Sequence, residues 1–133
     1  MTRRWERISK DFEEIAVAIS ACYSANTFPC QLPESEGLIR SAISRAYYSV
    51  FLALRSTLGL DYLRAPEAHR AIINKLKDMG YPEIADKVSM LRRRRNDADY
   101  DTEKKITPQQ LTHITITLQD LRTKLAKLIQ YPS

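Results

Sequence analysis

Between Leu91 and Asp101 four arginines, Arg92, Arg93, Arg94 and Arg95, run directly into Asn96, Asp97, Asp99, Tyr100 and Asp101. A guanidinium is a planar, permanently charged fork that donates paired hydrogen bonds to phosphate or carboxylate. Carboxylates one turn away could hold it in place or orient a substrate, but they are weak proton acceptors. A tyrosine at the end of the run is chiefly a donor. Histidine, whose pKa suits general-base work near neutrality, occurs only at His69 and His113. His69 sits at the start of a helical segment beside apolar positions, where capping or packing competes with a chemical role.

Helical register singles out one of the arginines. Ile84, Val88, Leu91, Arg95 and Ala98 follow the alternating four-three spacing of one apolar stripe. Arg95 thus occupies a position where a core side chain is expected, with Asp99 one turn on at the edge of the same face. A charge on a buried stripe costs several kcal/mol unless it is paired or serves a site. An Arg95–Asp99 pair alone is a thin reason for the arrangement. Such i,i+4 pairs contribute only about 0.2–0.5 kcal/mol on an exposed helix, and the acid-first order is the better one. Arg92, Arg93 and Arg94 fan around the helix, so at least two of them should meet solvent.

Five helical segments position these residues. The first runs from about Arg4 to Ser24, with Trp5, Ile8, Phe12, Ile15, Ile19 and Cys22 predicted as its inner face. A connector with two prolines follows, and the second helix extends from beyond Pro33 to a stop before Gly59. Its broad apolar arc (Ile39, Ile43, Ala46, Tyr47, Val50, Phe51, Leu54) predicts the central helix. Pro66 opens the third helix and Gly80 closes it, with Ile72, Ile73, Leu76 and Met79 facing inward. Pro82 opens the fourth, which carries the arginine run. Thr107-Pro108-Gln109-Gln110 supplies an N-cap, a proline at N1 and a capping-box glutamine before the last helix. Leu111, Ile114, Leu118, Leu121, Leu125 and Leu128 form that helix's inner stripe. The expectation is an all-α, up-and-down bundle of four long helices plus a shorter one, in a single domain spanning residues 1–133.

Composition narrows the function classes. Only three glycines occur, and no phosphate-cradling loop, nucleophile triad or metal-ligand spacing is present. Cys22 and Cys30 do not make a disulfide framework and no metal-ligand spacing surrounds them; no metal and no cofactor is expected. No run approaches the roughly 18 apolar residues of a membrane span, and the start of the chain leads into an amphipathic helix, so a cytoplasmic protein is expected. The net charge of +5 is compatible with nucleic acid.

Two segments together resemble a known family. Ser41-Ala42-Ile43-Ser44-Arg45-Ala46-Tyr47-Tyr48-Ser49-Val50-Phe51 is similar to the SxAxSRAYYxxF helix of HEPN-domain proteins. Arg95-Asn96-Asp97-Ala98-Asp99-Tyr100-Asp101 resembles the RxxADYD variant of that family's signature helix, and His69-Arg70-Ala71-Ile72 looks like the start of its intervening helix. The resemblance implies a helical bundle that dimerises, with signature helices meeting in a cleft across the interface. It also implies a metal-independent ribonuclease or a relative of one, a toxin paired with a small nucleotidyltransferase. The chain departs from the usual signature, since neither Asp99 nor Tyr100 is the histidine found there.

The chemistry implied is transesterification, in which a base frees the ribose 2′-oxygen to attack the adjacent phosphate. Arg95 would stabilise the phosphorane, with Asp99 or His69 assisting. Arg45, Tyr48, Arg92, Arg94, Asn96 and Tyr100 would contact RNA or a partner, and Arg45 would hold Asp99 or a phosphate. The expectation is a homodimeric toxin-side or accessory component of a nucleotidyltransferase-linked toxin–antitoxin system, acting on or binding RNA. A non-catalytic dimeric module that binds a nucleotide or protein stands as the alternative, as does a charge cluster that only sets dimer register.

Overall fold

A computed structural model describes residues 3–25 and 36–130, with side chains over 9–21 and 36–127. Five helices follow one another: α1 (Arg3–Ala25), α2 (Glu36–Thr57), α3 (Ala65–Asp78), α4 (Pro82–Tyr100) and α5 (Pro108–Gln130). No strand occurs among the described residues. The side chains of Trp5, Ile8, Cys22, Cys30 and Leu128, and the connector from Asn26 to Pro33, lie outside the described residues.

Cross-helix contacts fix the directions. Ser9 meets Ser49 while Phe12 meets Arg45, so α1 and α2 are antiparallel. Arg95 meets Tyr48 while Arg40 reaches Asp101, so α2 and α4 are antiparallel as well. Ser20 lies beside Thr112 and Ser9 beside Arg122, which sets α5 against α1. Around the ring α1–α2–α4–α5 each neighbour runs opposite to the last, and α2 also meets α5 across the centre. The shorter α3 packs outside this ring on α4 and α2. Thus α2 touches all four other helices, as its broad apolar arc predicts: Ile39, Ile43, Ala46, Tyr47, Val50, Phe51 and Leu54 are all buried.

Helix ends follow local chemistry. Gly59 and Gly80 take positive φ of 71° and 88° after α2 and α3. Leu60 N–H donates to Arg55 O (2.7 Å), and Tyr81 N–H to Leu76 O (2.8 Å), the long-range bonds of a Schellman stop. At the start of α5, Thr107 N–H donates to Gln110 Oε1 (2.9 Å) and Gln110 N–H to Thr107 Oγ1 (3.4 Å), so the predicted capping box forms.

Two inner faces differ from the sequence expectation. In α1, Ile15 is 46% exposed, whereas Ser9, Ala16 and Ser20 are buried. The small residues let α1 approach α2 and α5, and Glu13 turns inward to Arg122 of α5. A polar tie across helices therefore rotates α1 away from the face its apolar residues suggest. In α3, Met79 is exposed at the helix end, and Ala68, His69, Ile72 and Leu76 form the buried side.

Candidate functional site

The C-terminal half of α4 lies against α2, and one polar seam runs between them. Ala98 and Leu91 are buried above and below Arg95, whose side chain is 17% exposed, so Arg95 does sit on the apolar stripe. Its guanidinium is held from three sides. Nη2 donates to the Tyr48 hydroxyl (2.6 Å), Nη1 donates to Asn96 Oδ1 (2.9 Å), and Nε lies 2.9 Å from Asp99 Oδ2. The rings of Tyr48, Tyr100 and Tyr47 surround the guanidinium carbon at 5.1, 5.4 and 5.9 Å, within cation–π range. Each terminal nitrogen of an arginine carries two N–H groups, so Nη1 and Nη2 each retain one beyond these bonds. Asp99 is held in turn by Ser44, whose hydroxyl donates to the same Oδ2 at 3.2 Å.

Behind this seam lies a neutral pair. The Tyr47 hydroxyl and His69 Nδ1 are 3.2 Å apart, and His69 is 7% exposed. Burial pushes the Tyr47 phenol up to about 12, against the opposing field of Arg92 and Arg95. Burial, helped by the Arg92 charge, pushes His69 down to about 4. Both groups are therefore uncharged at neutral pH, and the tautomer of the imidazole sets which of the two donates. His69 ties α3 to α2 through Tyr47, one ring removed from Arg95.

The last turn of α4 is acidic where a helix dipole favours cations, and it contains no basic residue. Arg40 of α2 offsets this. Its Nη1 lies 3.0 Å from each of the carbonyls of Asp97, Ala98 and Asp101, which share its two N–H groups, and Nη2 donates to Lys104 O (2.5 Å). Lys104 Nζ reaches Asp97 Oδ2 at 3.0 Å. Glu36 accepts from Ile106 N–H (2.7 Å), a bond that lowers its pKa from the ordinary carboxylate value. The first turns of α2 thereby clamp the whole α4–α5 turn.

The structure brings Arg95, Asp99, Asn96, Tyr48 and Tyr100 together, with Tyr100 72% exposed at the rim. Arg45 does not join them. Its guanidinium stacks over Phe12 of α1 at 4.9 Å, and Ser44 takes the place beside Asp99 that the resemblance gave to Arg45. Arg92 is partly buried near Tyr47 and His69, while Arg93 and Arg94 are exposed. His113 is exposed on α5, away from the seam. Arg40 and Ser44 are additional to the sequence candidates. The signal that could have found Ser44 is its i,i+4 spacing with Tyr48, which places both on one face of α2.

Among the described residues, no group of three or more His, Cys, Asp or Glu could hold a metal ion, and no helix is long and apolar enough to cross a membrane. An antiparallel helical bundle with an arginine-centred seam on its fourth helix defines the class of protein. The chain belongs to the HEPN domain family, which it matches over residues 31–127, from before α2 to near the end of α5. No curated protein and no solved structure matches it.

Proposed function

We propose that this HEPN protein is an RNA-directed component, on the toxin or accessory side, of a cytoplasmic two-component system with a small nucleotidyltransferase, and that it works as a homodimer. The observation that carries the reading is Arg95. It is fixed on an apolar stripe by Tyr48, Asn96 and Asp99, yet keeps one N–H on each terminal nitrogen for a phosphate oxygen. Arg93 and Arg94 beside it add exposed positive charge, which draws in a polyanion.

The same geometry favours binding over cleavage. Asp99 is engaged by Arg95 and Ser44, and His69 has Nδ1 against Tyr47 and a pKa near 4. A base of that strength removes a ribose hydroxyl proton poorly. Cleavage is kept as the second reading because Asp99 and the exposed Tyr100 flank the Arg95 fork.

RNA cleavage by the purified protein in EDTA, wild type against Arg95→Ala, separates the two. Binding without cleavage, weakened in Arg95→Ala, is the expected result. Products with cyclic-phosphate ends that vanish in the variant would establish the ribonuclease instead. No binding to structured or single-stranded RNA would end the RNA reading.

A further inference from the structure

Beyond the Arg95 seam, α4 carries a second charged feature. An open cleft of about 410 Å³ is lined by Met90, Arg93, Arg94, Asn96, Asp97 and Lys104. Its volume falls within the roughly 300–1,000 Å³ of small-ligand sites. Arg93 lies on the side of α4 opposite Leu91 and Ala98, with Asp97 and Met90 on the flank between, so the cleft opens along the side of α4.

The polar lining is unevenly occupied. Lys104 neutralises Asp97 at 3.0 Å, whereas neither Arg93 nor Arg94 has a hydrogen-bond or ion-pair partner among the described residues. Three cations against one carboxylate leave the cleft strongly positive. Asn96 gives Oδ1 to Arg95, and its Nδ2 has no partner among the described residues. Met90, partly buried against the core, adds a polarisable apolar surface of the kind that packs against an aromatic ring.

We infer that this cleft lodges one nucleotide of a single-stranded RNA, with its phosphate on Arg93, Arg94 and Lys104 and its base over Met90. This rests on the RNA reading above and names its substrate class. A base must leave its stack to reach Met90, which a strand permits and a duplex opposes. Asn96 touches both places, so the strand passes from the outer side of α4 to the Arg95 fork around one residue. A free nucleotide shares the same chemistry.

The test measures binding of a 12-nucleotide single-stranded RNA, the same sequence as a duplex, and AMP across a salt series. It compares wild type with Arg93→Gln/Arg94→Gln and with Asp97→Asn. All three substituted side chains point to solvent or to the cleft rim, and circular dichroism checks that each variant is folded. The expected result is strand preferred over duplex, with affinity at least about tenfold weaker in the double variant. The salt slope should shrink by about 0.7 for each arginine removed. Asp97→Asn, which removes the one carboxylate, should bind several-fold tighter.

Unchanged strand binding in the double variant would overturn the cleft while leaving the RNA reading intact. Equal binding of strand and duplex would overturn the assignment of a flipped base. AMP binding without RNA binding, lost in the double variant, would leave the cleft as a free-nucleotide site and overturn both the strand assignment and the RNA reading. Binding of neither would overturn both.

Discussion

Arg122 and Arg95 both sit part-buried between helices, each with a carboxylate close by and a hydroxyl contributed by α2. Arg122 has Glu13 at 2.5 Å, Ser9 at 2.6 Å and Ser49 at 2.8 Å, drawn from α1 and α2. Ser9 also donates to Ser49 O at 2.6 Å, which closes the cluster. Arg95 instead takes its carboxylate and amide from its own helix and only Tyr48 from another. The Arg122 cluster joins three helices, with the Arg122 side chain 28% exposed against 17% for Arg95. The Arg95 cluster joins two, ends at an exposed tyrosine, and continues into Arg93 and Arg94, which have no partner among the described residues. Partners drawn from several helices mark an arginine that holds the bundle together. Partners drawn mainly from its own helix mark an arginine held in a set pose for something outside.

The sharpest way to break this contrast is to delete each arginine. Arg122→Ala strands Glu13 and two hydroxyls between three helices and should cost about 2–4 kcal/mol. The urea midpoint should fall at unchanged slope, with RNA affinity as in wild type. A variant that unfolded no more easily but lost RNA binding would reverse the two roles.

Acid separates the regions next. His69 lies behind Tyr47 on the Arg95 side, and the Arg122 cluster contains no histidine. With a folded pKa of about 4 against 6.5 for the free side chain, the unfolded chain takes up the proton first as pH falls. This contribution is complete above about pH 6.5 and is lost as pH falls toward 4, to a total of roughly 3 kcal/mol. Urea titrations over that range should show the loss, and His69→Gln should remove this component of it.

Arg95→Ala should be milder than Arg122→Ala, about 1–3 kcal/mol, because Asp99 can turn to water. Its larger effect should be on RNA, read by the binding assay above. The smallest expected change is Ser44→Ala, about 0.5–1.5 kcal/mol from one hydrogen bond to Asp99. A double-mutant cycle with Asp99→Asn would show whether Ser44 acts through that carboxylate.

The legible parts of the fold were those that one helix announces by itself. The stripes of α2, α4 and α5, both glycine stops and the Thr107–Gln110 box were readable because each depends on residues within a turn or two. Arg95 was readable for the same reason, as a charge in the wrong place on a regular stripe. What sequence spacing could not supply was the choice of partner across helices. Ile15 was expected inside α1, but the Glu13–Arg122 tie, between residues far apart in the chain, sets that helix's rotation. Arg45 and Ser44 are adjacent, and only the packing of α1 on one side of α2 and α4 on the other decides which one meets Asp99. Arg40 was invisible because its partners are backbone carbonyls, which leave no mark on side-chain pattern.

That bond set has a kinetic consequence. Helix ends ordinarily fray on their own, opening and closing far faster than the whole chain unfolds. The end of α4 has no glycine stop, and three of the carbonyls there, with a fourth in the turn that follows, are held by a side chain planted in the second turn of α2. Its opening must therefore break the α2–α4 seam as well. In hydrogen exchange the amides from Asp97 to Asp101 should be protected like the middle of a helix rather than its tip. In Arg40→Ala they should exchange at the rate of a loose end, while the midpoint of global unfolding moves far less.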